Sequence, residues 1–425
     1  MASIASALRQ IKSHSLEDSG ILHSDAVERI FTEHGYHWRD RTLGPAQTIE
    51  LFIRQVIDGN QSCGHMRQWA CGAFTAGAYC VARARLPLAA FWGLCQRVCE
   101  QVRLDFDRAA PLWHGHRTFH LDGTSFSMPD TPALQEAFGQ PGQQKPGCGF
   151  PVAHLLLAFD ARTGMALEAI PGPLRTHDLR DIAWIHQHLA EGDILIGDKA
   201  FGSWAHLALL RNAGAHGLFS LHQHRPVKDQ LDRIERWPKP PRKPAWMSAQ
   251  QFAALPESLE VRIIHRVIHR RGFRPVKVDL VTTLLDRQEY PAEELIELGR
   301  GRWHAELNIR HLKTTMGLEI LKCKTVAGVL KELAIFLLVY NLVRAVMLNA
   351  ADKQGVAVDR ISFADALACV RCRRDGRGIV TLTVNPLRRW RVEPRAIKRR
   401  PKEYDRLNRP RAVMRKELKN RGKAA

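Results

Sequence analysis

Three short apolar runs in the middle of the chain most constrain what it can fold into. They span residues 118–126, 152–159 and 165–170, and each has the length and the apolar character of a strand. The last two are joined by Asp160-Ala161-Arg162-Thr163-Gly164, whose Asp and Gly favour a tight hairpin connection. The pattern therefore predicts three strands of antiparallel type.

Helical and strand-like segments alternate after these runs. We predict a helix at 178–189, a strand at 193–197, a helix at 203–212 and a strand at 217–221. Antiparallel strands followed by alternating helix and strand is the order of an RNase H-like core. The expected fold class is therefore α/β, with an RNase H-like core at about residues 111–350.

A proline-rich segment interrupts this core. Residues 237–244 cannot form a helix or a central strand, because proline lacks the N–H that both require. Strand-like runs follow at 259–267 and 276–285, and helical periodicity returns at 292–316 and 329–348. We therefore predict a β-rich insertion at about 222–290, after which helices close the core.

The chain carries a strong positive charge. It has 63 Lys and Arg against 43 Asp and Glu, a formal net charge of +20 and a pI near 10.0. A field of this sign favours a polyanionic partner, for which nucleic acid is the leading candidate. A spanning helix needs about 20 apolar residues, and the best run, 333–347, is interrupted by Arg344. Because residues 1–24 also lack the pattern of a signal peptide, we expect a cytoplasmic protein.

Both ends of the chain differ from the core. Residues from about 21 to 106 have helical periodicity, which predicts a helical N-terminal domain at 1–110, for which DNA binding is one interpretation. Residues 351–425 form a basic C-terminal region, within which 388–423 hold 16 Lys and Arg against 4 Asp and Glu. This segment is either a sequence-independent DNA contact or a solvated tail.

Cysteine usage indicates reduced thiols. The nine cysteines are scattered along a long chain, without the spacing of a disulfide framework. Cys369 and Cys372 form a lone CxxC, and the second ligand pair of a zinc site is missing nearby.

Three acidic residues occupy positions that suit two-metal phosphoryl transfer, which needs several convergent carboxylates. Asp122 lies inside the first predicted strand, where a carboxylate among apolar neighbours is costly unless it is paired or metal-bound. Asp198 directly follows the strand at 193–197, at the end where open α/β sheets bind ligands. Glu306 lies on the predicted helix at 292–316. Each residue alone also has a structural interpretation, such as a turn or a cap.

Glu306 is flanked by two cations at helical spacing. Arg302, Glu306 and Lys313 are four and seven residues apart, so in a straight α-helix they lie within about 40° of one another. Arg grips phosphate oxygens bidentately and Lys acts as a point charge, so this face suits phosphate binding. The alternative is an ordinary solvated salt-bridge face. Trp303 beside it can either stack on a displaced base or pack in the core.

These acids lie within three longer motifs. The first is Asp122-Gly123-Thr124 followed by residues 127–132, and the second is Gly197-Asp198-Lys199-Ala200-Phe201. The third is a Tyr, Arg, Glu and Lys signature with two, three and six intervening residues, in which Gly299 stands at the tyrosine position before Arg302, Glu306 and Lys313. The motifs, and segments between about 45 and 410, resemble the bacterial transposases of the insertion-sequence-four family.

The resemblance implies a DDE transposase, an enzyme that cleaves the ends of its own mobile element and joins them to new DNA. It implies two Mg²⁺ or Mn²⁺ ions held by Asp122, Asp198 and Glu306, and DNA phosphates held by Arg302 and Lys313. The implied partners are the terminal inverted repeats and target DNA, bound by a homodimer that holds two ends. The family's β-strand insertion before the glutamate agrees with the predicted one.

Two other interpretations share these residues. A catalytically silent DNA-binding protein derived from a transposase would account for Gly299, although the intact acids argue against it. A metal-dependent RNase H-like nuclease would carry the same carboxylates and would cut DNA without joining it. Strand transfer distinguishes the last interpretation from a transposase.

Overall fold

One mixed sheet of eight strands organises the chain in this computed structural model, which describes residues 24–39, 41–109, 112–174, 179–222, 231–269, 275–372, 381–386 and 404–421. The strands are β1 Thr118–Ser127, β2 Val152–Asp160, β3 Ala166–Pro173, β4 Ile194–Gly197, β5 His216–Ser220, β6 Leu231–Pro238, β7 Ser258–Ile268 and β8 Val276–Thr282. Their order across the sheet is β3-β2-β1-β4-β5-β8-β7-β6.

Helices precede, interrupt and follow the strands. They are α1 Ser24–Glu33, α2 Pro45–Ile57, α3 Cys63–Trp69, α4 Ala76–Arg85, α5 Leu88–Ala109, α6 Pro132–Phe138, α7 Ala183–His186, α8 Trp204–Asn212, α9 Ala249–Ala253, α10 Ala292–Arg300, α11 Trp303–Arg310, α12 Val326–Gln354, α13 Phe363–Cys372 and α14 Arg411–Arg421. A π-helical turn, His311–Thr315, continues α11, and a 3-10 turn, Val358–Arg360, follows α12.

The five strands predicted between residues 118 and 221 are all present. β1, β2 and β3 form an antiparallel meander, and β4 and β5 run parallel to β1. At the turn between β2 and β3, Asp160 Oδ1 accepts hydrogen bonds from the backbone N–H of Arg162 at 3.0 Å and of Thr163 at 2.8 Å. The expected α/β class is confirmed as a mixed α/β fold.

The strands of the predicted insertion extend the same sheet. β8 pairs antiparallel with β5, where Phe219 lies opposite Val281, and β7 and β6 continue outward from β8. Pro238 is the last residue of β6, the outermost strand, where a missing N–H costs no ladder bond. The proline-rich segment therefore begins at the edge of the sheet.

Helix α12 is the main packing partner of the N-terminal helices. Its apolar residues share one buried cluster with α1, α2 and α5 and with β2 and β3. Its buried polar groups are paired: Tyr340 Oη donates to the carbonyl of Gly164 at 2.7 Å, and Arg344 Nε donates to that of Thr163 at 2.9 Å. By length and composition α12 could cross a membrane, but 78% of its most apolar 18-residue stretch is buried within the protein.

The prediction of one helix over 292–316 is wrong, because the segment divides into α10, α11 and the π-helical turn. Between α10 and α11 the backbone tightens to i→i−3 bonds, from His304 N to the carbonyl of Gly301 and from Ala305 N to that of Arg302, both at 2.9 Å. A Cβ at position 301 would lie 2.9 Å from the carbonyl oxygen of Leu298. Glycine therefore permits this close turn.

The helix predicted at 178–189 is also wrong in extent. Residues 175–178 lie outside the described residues, and the α-helical part is α7 alone, four residues long. Leu179, Ile182 and Ile185 are buried, which accounts for the helical spacing in the sequence. The surrounding backbone bonds mostly join residues three apart, so the segment forms successive turns.

The described end of the C-terminal region packs against the loop that follows α6. Arg411 forms an ion pair with Asp130, donates to the carbonyl of Gly147 at 2.7 Å and lies 5.4 Å from the ring centroid of Phe150. Tyr404 Oη lies 2.5 Å from Ser125 Oγ on β1. These contacts hold α14 beside the end of β1. Residues 388–403, 422 and 423 of the predicted basic segment lie outside the described residues.

Arg262 on β7 is fully buried and gives a test of how the outer strands are held. It donates two 2.8 Å bonds to Asp232 on β6, and its Nη1 donates to the carbonyls of Asp286 and Tyr290. We expect Asp232→Asn to lower the free energy of unfolding by about 2 kcal/mol, because it leaves the buried Arg262 cation without its counter-charge. The loss should not be larger, because solvent still reaches position 232 and screens the charge.

Denaturant titration measures this loss. Glu257→Gln is the matched control, because Glu257 is 90% exposed in its pair with Lys239 and its loss should cost less than about 1 kcal/mol. Equal effects of the two substitutions would contradict the assigned role of Arg262.

Candidate active site

The parallel pairing of β1 with β4 brings two of the predicted acids together. In this register Thr118 lies opposite Ile194 and His120 lies opposite Ile196. Continued by two positions, the register places Asp122 beside Asp198, which directly follows β4. Each carboxylate also accepts a local backbone hydrogen bond of 2.8 Å, Asp122 from Gly123 N and Asp198 from Ala200 N.

Helix α11 brings the third acid to the same face of β1. A Cβ on Gly301, just before α11, would lie 3.4 Å from His120 Nε2, and the rings of His120 and His304 are 6.2 Å apart. Glu306 lies one turn further along α11 and accepts a 2.8 Å bond from Arg302 Nη1. Their side chains are 36% and 27% exposed, so this pair remains open to solvent.

The electrostatics of Asp122 show that the three acids share one field. The pKa of Asp122 is raised to about 6: burial is the largest cause, the Gly123 N–H and the Arg302 guanidinium lower the pKa, and the negative charges of Asp198 and Glu306 raise it. The structure therefore brings Asp122, Asp198, Glu306 and Arg302 into one electrostatic group. Negative charge at Asp122 is only partly compensated.

The acids do not form a closed ligand cage. Across the residues that the structure describes, no three His, Cys, Asp or Glu side chains are grouped as a metal site would group them. Glu306 instead contacts the Arg302 guanidinium. The arrangement is an open carboxylate cluster with one cation at its border.

Gly299 and Lys313 lie outside α11, because the predicted single helix over 292–316 is divided: Gly299 is in α10 and Lys313 is in the π-helical turn. Lys313 is half-buried in the π-helical turn, which holds more residues per turn than an α-helix and therefore rotates Lys313 relative to the face of Arg302 and Glu306. At Gly299 an added Cβ would lie 3.3 Å from Leu280 Cδ2 and 3.8 Å from Leu218 Cδ2. Glycine at the tyrosine position of the motif therefore allows α10 to pack closely on β5 and β8.

The structure shows the surroundings of three further residues, His120, Trp303 and Tyr404. His120 is buried two residues before Asp122, and burial, with the charges of His304 and Arg302, lowers its pKa to about 3. His120 lies on the same face of β1 as Asp122, and the alternation of side chains along a strand could have predicted this from the sequence. Trp303 is 57% exposed, which contradicts core packing for that side chain. Tyr404 reaches β1 from more than 270 residues away, and no local pattern could indicate this.

Comparison with known proteins places the chain among transposases. The family model described as the transposase DDE domain matches residues 113–342, a range that includes all five predicted site residues. The chain is 24% identical over 344 residues to the transposase InsG for insertion sequence element IS4 of Escherichia coli K12, covering 72% of this chain and 75% of that protein. It is 30% identical over 108 residues to the putative transposase InsZ of the same organism, covering 24% and 35%.

One solved structure aligns with most of the chain. It is the piggyBac transposase synaptic complex with hairpin DNA, with a TM-score of 0.45 and 11% identity, covering 86% of this chain and 79% of that one.

The raised pKa of Asp122 predicts an effect of charge on stability. An acid whose pKa rises from 3.8 to about 6 on folding destabilises the folded state when it is ionised. This cost is absent below pH 3.8, grows between the two values and is complete above about pH 6. Without divalent cations, Asp122→Asn should therefore raise the melting temperature at pH 7.5, and the gain should fade towards pH 4.

Thermal denaturation in EDTA at both pH values measures this gain. Asp405→Asn, at an exposed position in the C-terminal region, is the control and should leave the melting temperature nearly unchanged. A lower melting temperature for Asp122→Asn at pH 7.5 would show that the carboxylate stabilises the fold instead.

Proposed function

Because this chain belongs to the family of DDE-domain transposases, we propose that it cleaves and rejoins DNA ends with Asp122, Asp198 and Glu306 as its catalytic carboxylates. The chain is a DNA transposase by family, and the proposal assigns the chemistry to these residues. The observation that carries it is the parallel register of β1 and β4, which places Asp122 beside Asp198, with Glu306 near enough on α11 for its charge to act on Asp122. Unrelated surface acids would have no reason to converge from β1, β4 and α11.

An RNase H-like core is the fold that best accounts for this convergence. Strand order β3-β2-β1-β4-β5, with an antiparallel meander followed by two strands parallel to β1, supports it. In such a sheet the middle of β1 and the end of β4 are neighbours, and a helix that follows β5 returns over them. In this chain the helix that passes over β1 and β4 is α11, and β6, β7 and β8 come between β5 and α11 in the sequence.

The donor set fits divalent cations. Three carboxylates supply hard oxygen ligands, which suit Mg²⁺ or Mn²⁺. The pKa of Asp122 is raised mainly by burial and in smaller part by the charges of Asp198 and Glu306, and a bound cation would offset both effects. We propose that Asp122, Asp198 and Glu306 would hold two such ions. When bound, they would activate an oxygen nucleophile and stabilise the charge on the phosphate.

The basic side chains beside the acids position DNA. The pair of Arg302 with Glu306 is exposed enough for the guanidinium to exchange its carboxylate partner for a phosphate oxygen. Lys313, one helical turn beyond the end of α11, supplies a second positive charge. In this proposal Arg302 and Lys313 hold the DNA backbone near the scissile phosphate, and neither residue transfers a proton.

The proposed partners are the terminal inverted repeats of the element and the target DNA, bound in the cytoplasm by a homodimer that holds two ends. The docked helix α14, which carries Arg415, Lys416 and Lys419 on its exposed surface, suits sequence-independent phosphate contact at the end of β1. The retained acids favour an active enzyme over a silent DNA-binding protein. Joining of cut ends would exclude a nuclease.

Amide substitutions test whether the three acids act together. Asp122→Asn, Asp198→Asn and Glu306→Gln keep nearly the same shape and remove a charged ligand, so each should lower metal-dependent cleavage by several orders of magnitude. Double variants should be hardly worse than single ones, since residues that act as a unit are strongly non-additive. The assay is nicking and strand transfer of DNA that carries the terminal repeats, with Mg²⁺.

Glu297→Gln is the matched control, because Glu297 is an exposed acid on the adjoining helix α10 and pairs with Arg300. It should cleave normally. Near-normal cleavage by one amide variant would remove that residue from the site, and normal cleavage by two would reject the mechanism.

Lys313→Ala tests the assignment of a phosphate contact. Because the variant removes a positive charge proposed to hold the DNA phosphate, cleavage should fall at least about tenfold. Because Lys313 is only half-buried, the melting temperature should change little. Lys277→Ala, at an exposed position on β8, should change neither quantity. A large loss of stability with normal cleavage per folded molecule would give Lys313 a structural role.

A further inference from the structure

Two histidines that the proposed chemistry does not use lie behind the loop between β4 and α8. This loop, residues 198–203, carries Asp198 and is called here the Asp198 loop. His206 on α8 is fully buried, and His186 on α7 is half-buried. Their Nε2 atoms are 3.0 Å apart, and the two rings are parallel to within 4°. Polar groups are buried in a protein with their hydrogen bonds made, so the remaining bonds of this pair show what it holds in place.

The second ring nitrogen of His206 bonds to the Asp198 loop. His206 Nδ1 lies 2.8 Å from the carbonyl oxygen of Phe201, and because that oxygen can only accept, Nδ1 carries the proton. The pKa of His206 is lowered to about 3, mainly by burial, so the ring is neutral near pH 7 and its Nε2 accepts. His186 Nε2 then donates to it. Both nitrogens of His206 are therefore paired in a defined direction.

Phe201 is the point at which the Asp198 loop is attached to the core. Its side chain is buried against Gly197, where an added Cβ would lie 2.8 Å from Phe201 Cδ2. Its N–H donates to the carbonyl of Asp198 at 3.2 Å. At the next residue, a Cβ on Gly202 would lie 3.1 Å from the carbonyl oxygen of Ser220 on β5. The ring, the N–H and the carbonyl of Phe201 are thus all held.

The Asp198 carboxylate is held from within its own loop. Asp198 Oδ1 accepts from Ala200 N at 2.8 Å, and both Lys199 and Ala200 are exposed. On one side the loop continues from β4, and on the other it is attached at Phe201. The position of the carboxylate therefore depends on how firmly Phe201 is held.

We propose that His206 is a positioning residue for the Asp198 carboxylate: its Nδ1–H fixes the carbonyl of Phe201 and holds the Asp198 loop in the shape that binds a divalent cation. His206 lies outside the ligand set and transfers no proton. The inference rests on the proposed function and deepens it, because a ligand that is already in place loses less conformational freedom when the ion binds. The other outcome of the test is a polar pair that only stabilises the packing of α7 against α8.

Three substitutions at His206 separate the Nδ1–H bond from the volume of the ring. His206→Asn keeps an N–H donor at nearly the position of Nδ1, and His206→Leu has the same branching at Cγ without a donor. His206→Gln carries its amide further out, near the position of Nε2, where it faces His186 instead of Phe201. All three remove the imidazole, so loss of the ring alone affects them alike. The comparison of Asn with Gln keeps the test valid where the Leu variant fails to fold.

Hydrogen–deuterium exchange in EDTA measures how firmly the loop is held before any metal is present. Peptides that cover residues 197–204 should exchange at least about tenfold faster in His206→Leu and His206→Gln than in His206→Asn, because only the Asn variant still bonds the carbonyl of Phe201. A pair that only stabilises packing would give the same exchange rate in all three variants. Equal rates in the three variants would therefore overturn the proposal.

Binding of Mn²⁺ without DNA measures the consequence for the acids, through the electron paramagnetic resonance signal of the free ion. His206→Leu and His206→Gln should bind Mn²⁺ about ten- to a hundredfold more weakly than the wild type, as is usual when a residue that orients a metal ligand is lost. His206→Asn should recover most of the affinity. Asp232→Asn, which weakens the pairing of β6 with β7, is the control for lost stability and should bind Mn²⁺ like the wild type. Equal affinities in the three His206 variants would also overturn the proposal.

Asp198→Asn separates this inference from the proposed function. Loss of Mn²⁺ binding and of cleavage in Asp198→Asn, combined with equal exchange and equal affinity among the His206 variants, would retain the proposed chemistry and reject the role of His206. Normal Mn²⁺ affinity and normal cleavage in Asp198→Asn would reject the proposed function at this residue, and with it the role of His206 in metal binding.

Discussion

The parallel pairing of β1 with β4 is the constraint on which the candidate active site depends. It places Asp122 and Asp198 side by side, although like charges at this distance oppose folding when both are ionised. The cost is tolerated because the strands are held by their other neighbours: β2 pairs along nearly the whole length of β1, and β5 pairs along β4. Glu306 is then added from a helix whose start is fixed by the close contact of Gly301 with His120.

Helix α12 connects this site to the N-terminal helices. Two consecutive side chains, Lys331 and Glu332, reach in different directions: Lys331 binds the end of α4, and Glu332 accepts from Asn60 Nδ2 at 2.6 Å and from the backbone N–H of Lys322 at 2.9 Å. The same helix packs against β2 and β3 through its apolar residues. The end of α4 and the strands β2 and β3 are therefore held by the same helix.

The sequence predicted what depends on local periodicity and missed what depends on distant packing. The strands of the core were recognised because their apolar runs are bounded by turn residues, and Asp198 because it follows such a run directly. The helix over 292–316 was predicted as one piece, because the apolar spacing continues through Gly301 and contains no sign that the chain turns there. Arg302, the N-cap of α11, and Glu306, in its first turn, still lie on one face and pair with each other, whereas the wide turn that carries Lys313 leaves no trace in the spacing.

The position of the added strands has a mechanical consequence. Since β8 is bonded directly to β5, the strands β6, β7 and β8 cannot swing as a separate lobe without breaking backbone pairs such as that of Phe219 with Val281. They form a continuous extension of the sheet. Shortening the chain by excising these strands would leave the edge of β5 bare, and an uncovered edge of this kind invites pairing with other molecules and aggregation. Smaller versions of this enzyme would need a new edge cover before they could remain soluble.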